Sequence, residues 1–164
     1  MLERVAIIGV GTTGFRATTP DLSYRELTYE AAVKAYSDAG VEPHEIDGFV
    51  ATSEDFFEGY SIADEYSNDQ LGAVLKSVST VSGDFIQSLA HGVMMIQSGY
   101  ARIVAVQAMS KASNMLTQAD LVNFAFDPVY NRLVDAHPDY VAGLEMNLYM
   151  TVSYTHLRAH ETRH

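Results

Sequence analysis

Between Ser77 and Ser110 the chain reads Ser-Val-Ser-Thr-Val-Ser-Gly-Asp, then a long apolar helical pattern to Gly99, then the apolar run Ile103–Ala108. This is a strand, a tight turn, a helix and another strand, an order that implies a right-handed crossover within a layered α/β sheet. Phe85, Leu89, Val93 and Ile96 recur at helical spacing, and Ile86, Ala90 and Met94 widen the stripe. So broad an apolar face predicts a central helix buried between layers. The turn holds the end of the first strand against the helix N-terminus, where free backbone N–H groups and the positive end of the dipole favour an anion or a thiolate.

The rest of the first half fits the same class. Val5–Val10 is a continuous apolar run bounded by glycines, the pattern of an interior parallel strand. Ser23-Tyr24-Arg25-Glu26 is a capping box, Leu27, Ala31 and Ala35 follow at four-residue spacing, and Gly40 stands where a left-handed cap belongs. Pro43 starts a short turn that delivers the chain to a strand over Gly48–Thr52. The acidic, aromatic stretch Ser53–Tyr66 reads as a loop or short irregular helix, and Asn68–Lys76 as a short helix.

At 164 residues, 48% hydrophobic and 19% charged, the chain has the composition of an ordinary globular domain or part of one. A net charge of −11 argues against a nucleic-acid surface and against adhesion to anionic lipid. No apolar run reaches the roughly 18 residues of a membrane span, and the N-terminus lacks a signal peptide's pattern, so the cytoplasm is the expected location. The absence of cysteine excludes disulfides and thiolate metal sites.

Several motifs compete for a function. Gly9-Val10-Gly11-Thr12-Thr13-Gly14 has the spacing of a dinucleotide fingerprint. A Rossmann turn opens directly into a helix, however, and here the capped helix waits until after Ser23. A glycine-rich strand exit is the plainer reading. His160-Glu161-Thr162-Arg163-His164 matches the zinc-protease motif but has no third ligand downstream. His44, His91 and His137 stand alone, and Met94, Met95 and Met146 fit core filling better than an acyl pocket. Ser82 lacks the glycines of a hydrolase elbow. Asp84 complements the dipole of the following helix, and its charge would raise the pKa of a nucleophile nearby.

The corner Thr80-Val81-Ser82-Gly83, with Ile96-Gln97-Ser98-Gly99 and Ala105-Val106-Gln107-Ala108-Met109-Ser110, resembles the nucleophile turn of the thiolase superfamily. Lys111-Ala112-Ser113, Phe126-Asp127-Pro128-Val129-Tyr130-Asn131-Arg132 and Ala142-Gly143-Leu144-Glu145-Met146 resemble the loop region of its archaeal-type acetyl-CoA acetyltransferase branch, related to the sterol-carrier thiolases. The likeness covers about residues 3 to 150. It implies a layered α/β fold, the N-terminal half of a thiolase-like protein, with a mixed, mostly parallel sheet and residues 110–150 as an incomplete loop region.

By that resemblance the full-length protein is an acyl-CoA C-acyltransferase that forms or cleaves a 3-ketoacyl-CoA, with coenzyme A thioesters as substrates and no bound cofactor. Thr80 stands at the family's nucleophilic cysteine and so at the acyl-acceptor position. A threonine hydroxyl is a much weaker nucleophile than a thiolate unless a base lies beside it. The family's activating histidine, its acid/base cysteine and much of its CoA surface belong to a C-terminal half, so this portion alone is expected to be inactive. The alternative is a non-catalytic scaffold subunit paired with an active thiolase-like or zinc-ribbon/OB-type partner. Either way the family implies a homodimer or hetero-complex through the strand Ser77–Thr80. Residues 151–164 are read as a non-native tail, because Val152-Ser153-Tyr154-Thr155-His156-Leu157-Arg158-Ala159-His160-Glu161-Thr162 resembles a translated sequencing adapter.

Overall fold

The Ser23 hydroxyl accepts from the Glu26 N–H at 3.2 Å while the Glu26 carboxylate accepts from the Ser23 N–H at 2.7 Å. The predicted capping box therefore starts helix α1 (Tyr24–Ala39), which Gly40 ends at φ 66°. The computed structural model describes residues 4–134 and 137–152. The chain divides into two compact units, one ending at Met115 and the other starting at Leu116.

Unit one is built on a parallel sheet of three strands, β1 (Gly48–Thr52), β2 (Ser77–Val81) and β3 (Val104–Ala108), in the order β2-β1-β3. Gly48 lies opposite both Ser77 and Val104, and Thr52 opposite both Val81 and Ala108. Every residue of the central strand is buried, as a strand covered on both faces requires. Asp47 pins the register, its carboxylate accepting from the N–H groups of Arg102 at 2.8 Å and Ile103 at 3.2 Å. Those bonds, the Arg102 N–H foremost, hold its carboxyl below the usual range.

The two sheet faces differ. On the α1 side Phe49 is fully buried with Ile46, Leu71 and Ala32, and Val78 and Tyr36 pack against them. Farther along the same face Ala51 meets Tyr60 and Ala63 of helix α2 (Ala63–Tyr66). The Tyr60 ring stacks on Tyr24 with centroids 5.2 Å apart. The Tyr36 hydroxyl donates to the Leu71 carbonyl at 2.8 Å, and burial pushes that phenol up to about 12. Helix α3 (Phe85–Gln97) covers the other face through its small residues. A Cβ added to Gly92 would lie 2.9 Å from Val106 Cγ2, and one added to Gly48 would lie 2.8 Å from Met95 Cε, so glycine on either side permits the close approach.

Three expectations are corrected. Val5–Val10 forms no strand: Ile7, Ile8 and Val10 are exposed, and the segment lies along α1. A Cβ at Gly11 would fall 2.0 Å from the Ala31 carbonyl oxygen, while the Val10 N–H donates to the Asp38 carboxylate at 2.9 Å. The apolar run signalled contact with the protein, yet no described strand pairs with it. Helix α3 is covered along Ser88, Gly92 and Met95, whereas Phe85, Ile86 and Met94 remain exposed, because a single sheet packs on it. Asn68–Lys76 holds only one 3-10 turn, Asp69–Leu71, since Gly72 (φ 79°) and Leu75 (φ 59°) turn left-handed.

In unit two, helix α4 (Gln118–Asn123) is followed by a turn in which the Asp127 carboxylate accepts from the N–H groups of Val129 and Tyr130, both at 2.8 Å. Arg132 donates to the Phe124 carbonyl at 2.9 Å and lies over the Phe124 ring. Helix α5 (Pro138–Val152), starting on a proline as helices readily do, occupies part of the expected loop region. The adapter-like segment from residue 153 and its His-Glu-Thr-Arg-His motif lie outside the described residues. No described helix is long and apolar enough to cross a membrane.

Candidate functional site

Parallel strands bring their C-terminal ends to one edge of the sheet, and in α/β folds that edge is where ligands bind. Here the edge carries Thr52 of β1, Ala108 of β3, the following Met109 and Ser110, and the start of α3. They enclose a cleft of about 310 Å³, completed by Gly83, Asp84, Phe85, Glu58 and the exposed ring of Phe15. Asp84 is the N-cap of α3, its carboxylate accepting from the N–H groups of Ile86 at 2.9 Å and Gln87 at 3.2 Å. The protein's own carboxylate thus takes two of the donors that would otherwise favour a bound anion.

Hydroxyls on the α3 side of β1 have no protein partner. Thr52 is 6% exposed and Ser88 fully buried, and neither hydroxyl oxygen makes a hydrogen bond. Met95 sits over Gly48. Ser88, seven residues back, lies about 10 Å nearer the α3 N-terminus, which is about three strand residues along β1 and close to Thr52. Behind the cleft wall, where Thr52 lines it, the helix-sheet contact therefore holds buried hydroxyls with unspent hydrogen-bonding capacity, a feature that proteins ordinarily avoid.

Thr80 is in β2, opposite Ala51. Val78 packs with Phe49 on the α1 side, and strand alternation puts Thr80 on that same face, the one opposite α3. Its hydroxyl is buried and without a hydrogen bond. Thr80 is not among the cleft-lining residues, whereas Asp84 is. The Ser110 hydroxyl accepts from the Ala112 N–H at 3.2 Å. Gly9 and Gly11 serve helix packing, a Cβ at Gly9 falling 2.4 Å from the Ala35 oxygen. Among the described residues no three His, Asp or Glu side chains converge as metal ligands. Sequence reasoning passed over Thr52, Glu58 and Phe15. The last residue of a predicted parallel strand was the available signal for Thr52; nothing local marked the other two.

A wider depression of about 520 Å³ opens at the opposite edge, between Asp47, Lys76, Ser77, Tyr100 and Arg102. Its cations are engaged: Lys76 donates to the carbonyls of His44 and Ile46, and Arg102 to Asp47. That edge is therefore the weaker candidate.

No family model matches the sequence, and no curated protein matches it. Solved structures do. The Ltp2-ChsH2(DUF35) aldolase aligns over 89% of this chain and 37% of its own, at 24% identity and a TM-score of 0.65. The priming β-ketosynthase of the R1128 polyketide pathway aligns over 63% of this chain and 32% of its own, at 25% identity and 0.52. The 3-oxoacyl-[acyl-carrier-protein] synthase III of Aquifex aeolicus VF5 aligns over 59% and 32%, at 21% identity and 0.50. The fold is thiolase-like. The thiolase-like chain spans about a third of the length of the solved chains it matches, and its strand-turn-helix-strand corner is the part that frames the cleft.

Proposed function

We propose that this chain is the N-terminal portion of a thiolase-type acyltransferase of the archaeal, sterol-carrier-like branch, acting in the cytoplasm on coenzyme A thioesters without a bound cofactor. The observation that carries the reading is the β2-turn-α3-β3 corner, with its cleft at the C-terminal edge of a thiolase-like sheet. In this reading the whole protein makes or breaks a 3-ketoacyl-CoA, with Thr80 at the acyl-acceptor position and the remaining acid/base groups supplied from outside the portion described. Subunits pair through β2, an edge strand of the described sheet with one side open to a partner strand.

A second reading rests on the placement of Thr80. A hydroxyl on the face away from α3, with no base hydrogen-bonded to it, favours a non-catalytic subunit that works with a partner. The name of one structural neighbour couples Ltp2 with ChsH2, which makes a two-component assembly a natural form for this reading.

Thr80→Ala separates the two. Turnover of acetyl-CoA and acetoacetyl-CoA by the uninterrupted protein, with any partner that co-purifies, should fall by several orders of magnitude if residue 80 accepts the acyl group. Unchanged turnover in the assembled complex would reject the acyl-enzyme and leave the scaffold.

A further inference from the structure

The cleft is framed by loops from distant parts of the chain. Phe15 belongs to the stretch between Val10 and α1, Glu58 to the stretch between β1 and α2, and Met109 and Ser110 to the exit from β3. Lys111 ties all of them together. It follows Ser110 directly, its N–H donates to the Glu58 carbonyl at 2.7 Å, and its ammonium donates to the carbonyls of Thr19 and Leu22. A Cβ added to Gly59 would lie 2.7 Å from the Lys111 carbonyl carbon, so the Glu58 loop is pressed against the Lys111 backbone. Lys111 itself is not among the cleft-lining residues.

The side chain is partly buried, and its tip is spent on backbone carbonyls. Bonds from Ser23 hold the Glu26 carboxyl below its usual range, and the charge of Lys111 adds to them, which sets the ammonium beside the start of α1. Bonds donated by a charged group are stronger than neutral ones, so this tie restrains the loop that leads from Phe15 into the helix. Asn114 shares the hold on Thr19, and the ammonium extends it to Leu22.

We propose that Lys111 is a positioning residue for the cleft: its backbone holds the Glu58 side, its ammonium holds the loop that carries Phe15, and the placing of one against the other depends on this residue. The inference rests on the thioester reading above for the identity of the ligand, and adds that the thioester is gripped by walls fixed from outside the cleft. Loosening such walls weakens binding in the ground state and the transition state alike, so KM rises while kcat holds.

The chain has no tryptophan and no cysteine, so Phe15→Trp with Ser82→Cys gives a sole indole and a sole thiol. A nitroxide on that thiol, beside Gly83 of the cleft, quenches the indole at short range. In the full chain Lys111→Met keeps the apolar stem, removes the charge and should lose most of that quenching, whereas Lys111→Arg restores the donors and should quench as the parent does. Lys76→Met is the matched loss, because Lys76 also donates to two backbone carbonyls, those of His44 and Ile46, at the opposite edge of the sheet. It should lower the melting temperature about as much as Lys111→Met and leave the quenching unchanged. In the uninterrupted protein with its native Phe15, Lys111→Met should raise KM for acetoacetyl-CoA about fivefold at constant kcat, and Lys111→Arg should restore it. Unchanged quenching in Lys111→Met, or an equal loss in Lys76→Met, overturns the positioning role and leaves Lys111 a structural strut. Lost quenching at an unchanged KM overturns the link to the substrate. If the parent turns over no thioester, the thioester reading fails, and the quenching still decides whether Lys111 places Phe15.

Discussion

The two faces of the sheet are built from different materials. Toward α1 the sheet presents Phe49 and Val78, which close against Ile46, Leu71 and Tyr36. Toward α3 it presents Gly48, Val50 and Thr52 to a helix stripe of Ser88, Gly92 and Met95. Large apolar side chains on the first face remove much surface from water, and that is where burial stabilises most. Small residues on the second face let helix and sheet approach closely but remove less apolar surface from water, so contact there contributes less stability. The candidate site lies at the end of this second face.

The contrast breaks first at Phe49. Phe49→Ala should cost about 3–5 kcal/mol in chemical denaturation, because a fully buried ring leaves a cavity among rigid neighbours. A loss below about 1 kcal/mol would mean that the α1 face is not the main core. Gly92→Val should cost about 2 kcal/mol by overpacking, since even its Cβ would crowd the β-branched Val106. Ser88→Ala should run the other way and raise the melting temperature, with about 1 kcal/mol gained by removing a buried hydroxyl that has no partner. A destabilised Ser88→Ala would show that the hydroxyl is satisfied after all.

The smallest effect concerns the acid limb. Asp47 has a depressed carboxyl pKa in the folded chain, so its contribution is present above the unfolded value near 3.8 and is lost as pH falls through the lower folded value. Asp47→Asn should therefore flatten the stability profile below about pH 4 and change neutral stability by roughly 1 kcal/mol. An unchanged acid slope would remove Asp47 as the clasp between β1 and β3.

Local chemistry was legible wherever it was self-contained. Ser23, Glu26 and Gly40 set the ends of α1 through bonds within a few residues, and the turn begun by Pro43 leads straight into the strand Gly48–Thr52. Val5–Val10 is a continuous apolar run, but a strand also needs a neighbour, and periodicity says nothing of partners. The stripe read from α3 was sound as an apolar surface, yet which side met the sheet depended on Gly48 and Gly92 being small. The Thr80 motif fixed a position along the chain without fixing a face, because the alternation of β2 is settled only by packing Val78 on Phe49. The cleft was illegible for a related reason, since Phe15, Thr52, Glu58 and Met109 are distant in sequence and meet only after the sheet has formed.

The Lys111 ammonium donates to the carbonyls of Thr19 and Leu22, and Asn114 accepts from the Thr19 N–H at 3.1 Å. One amine thus laces together stretches about ninety positions apart, the approach to α1 and the exit from β3. Protection of both stretches against hydrogen exchange should rise and fall together, as a single opening event. Acetylation of that amine, which erases its charge, would break both of its bonds at once and leave Asn114 to hold Thr19.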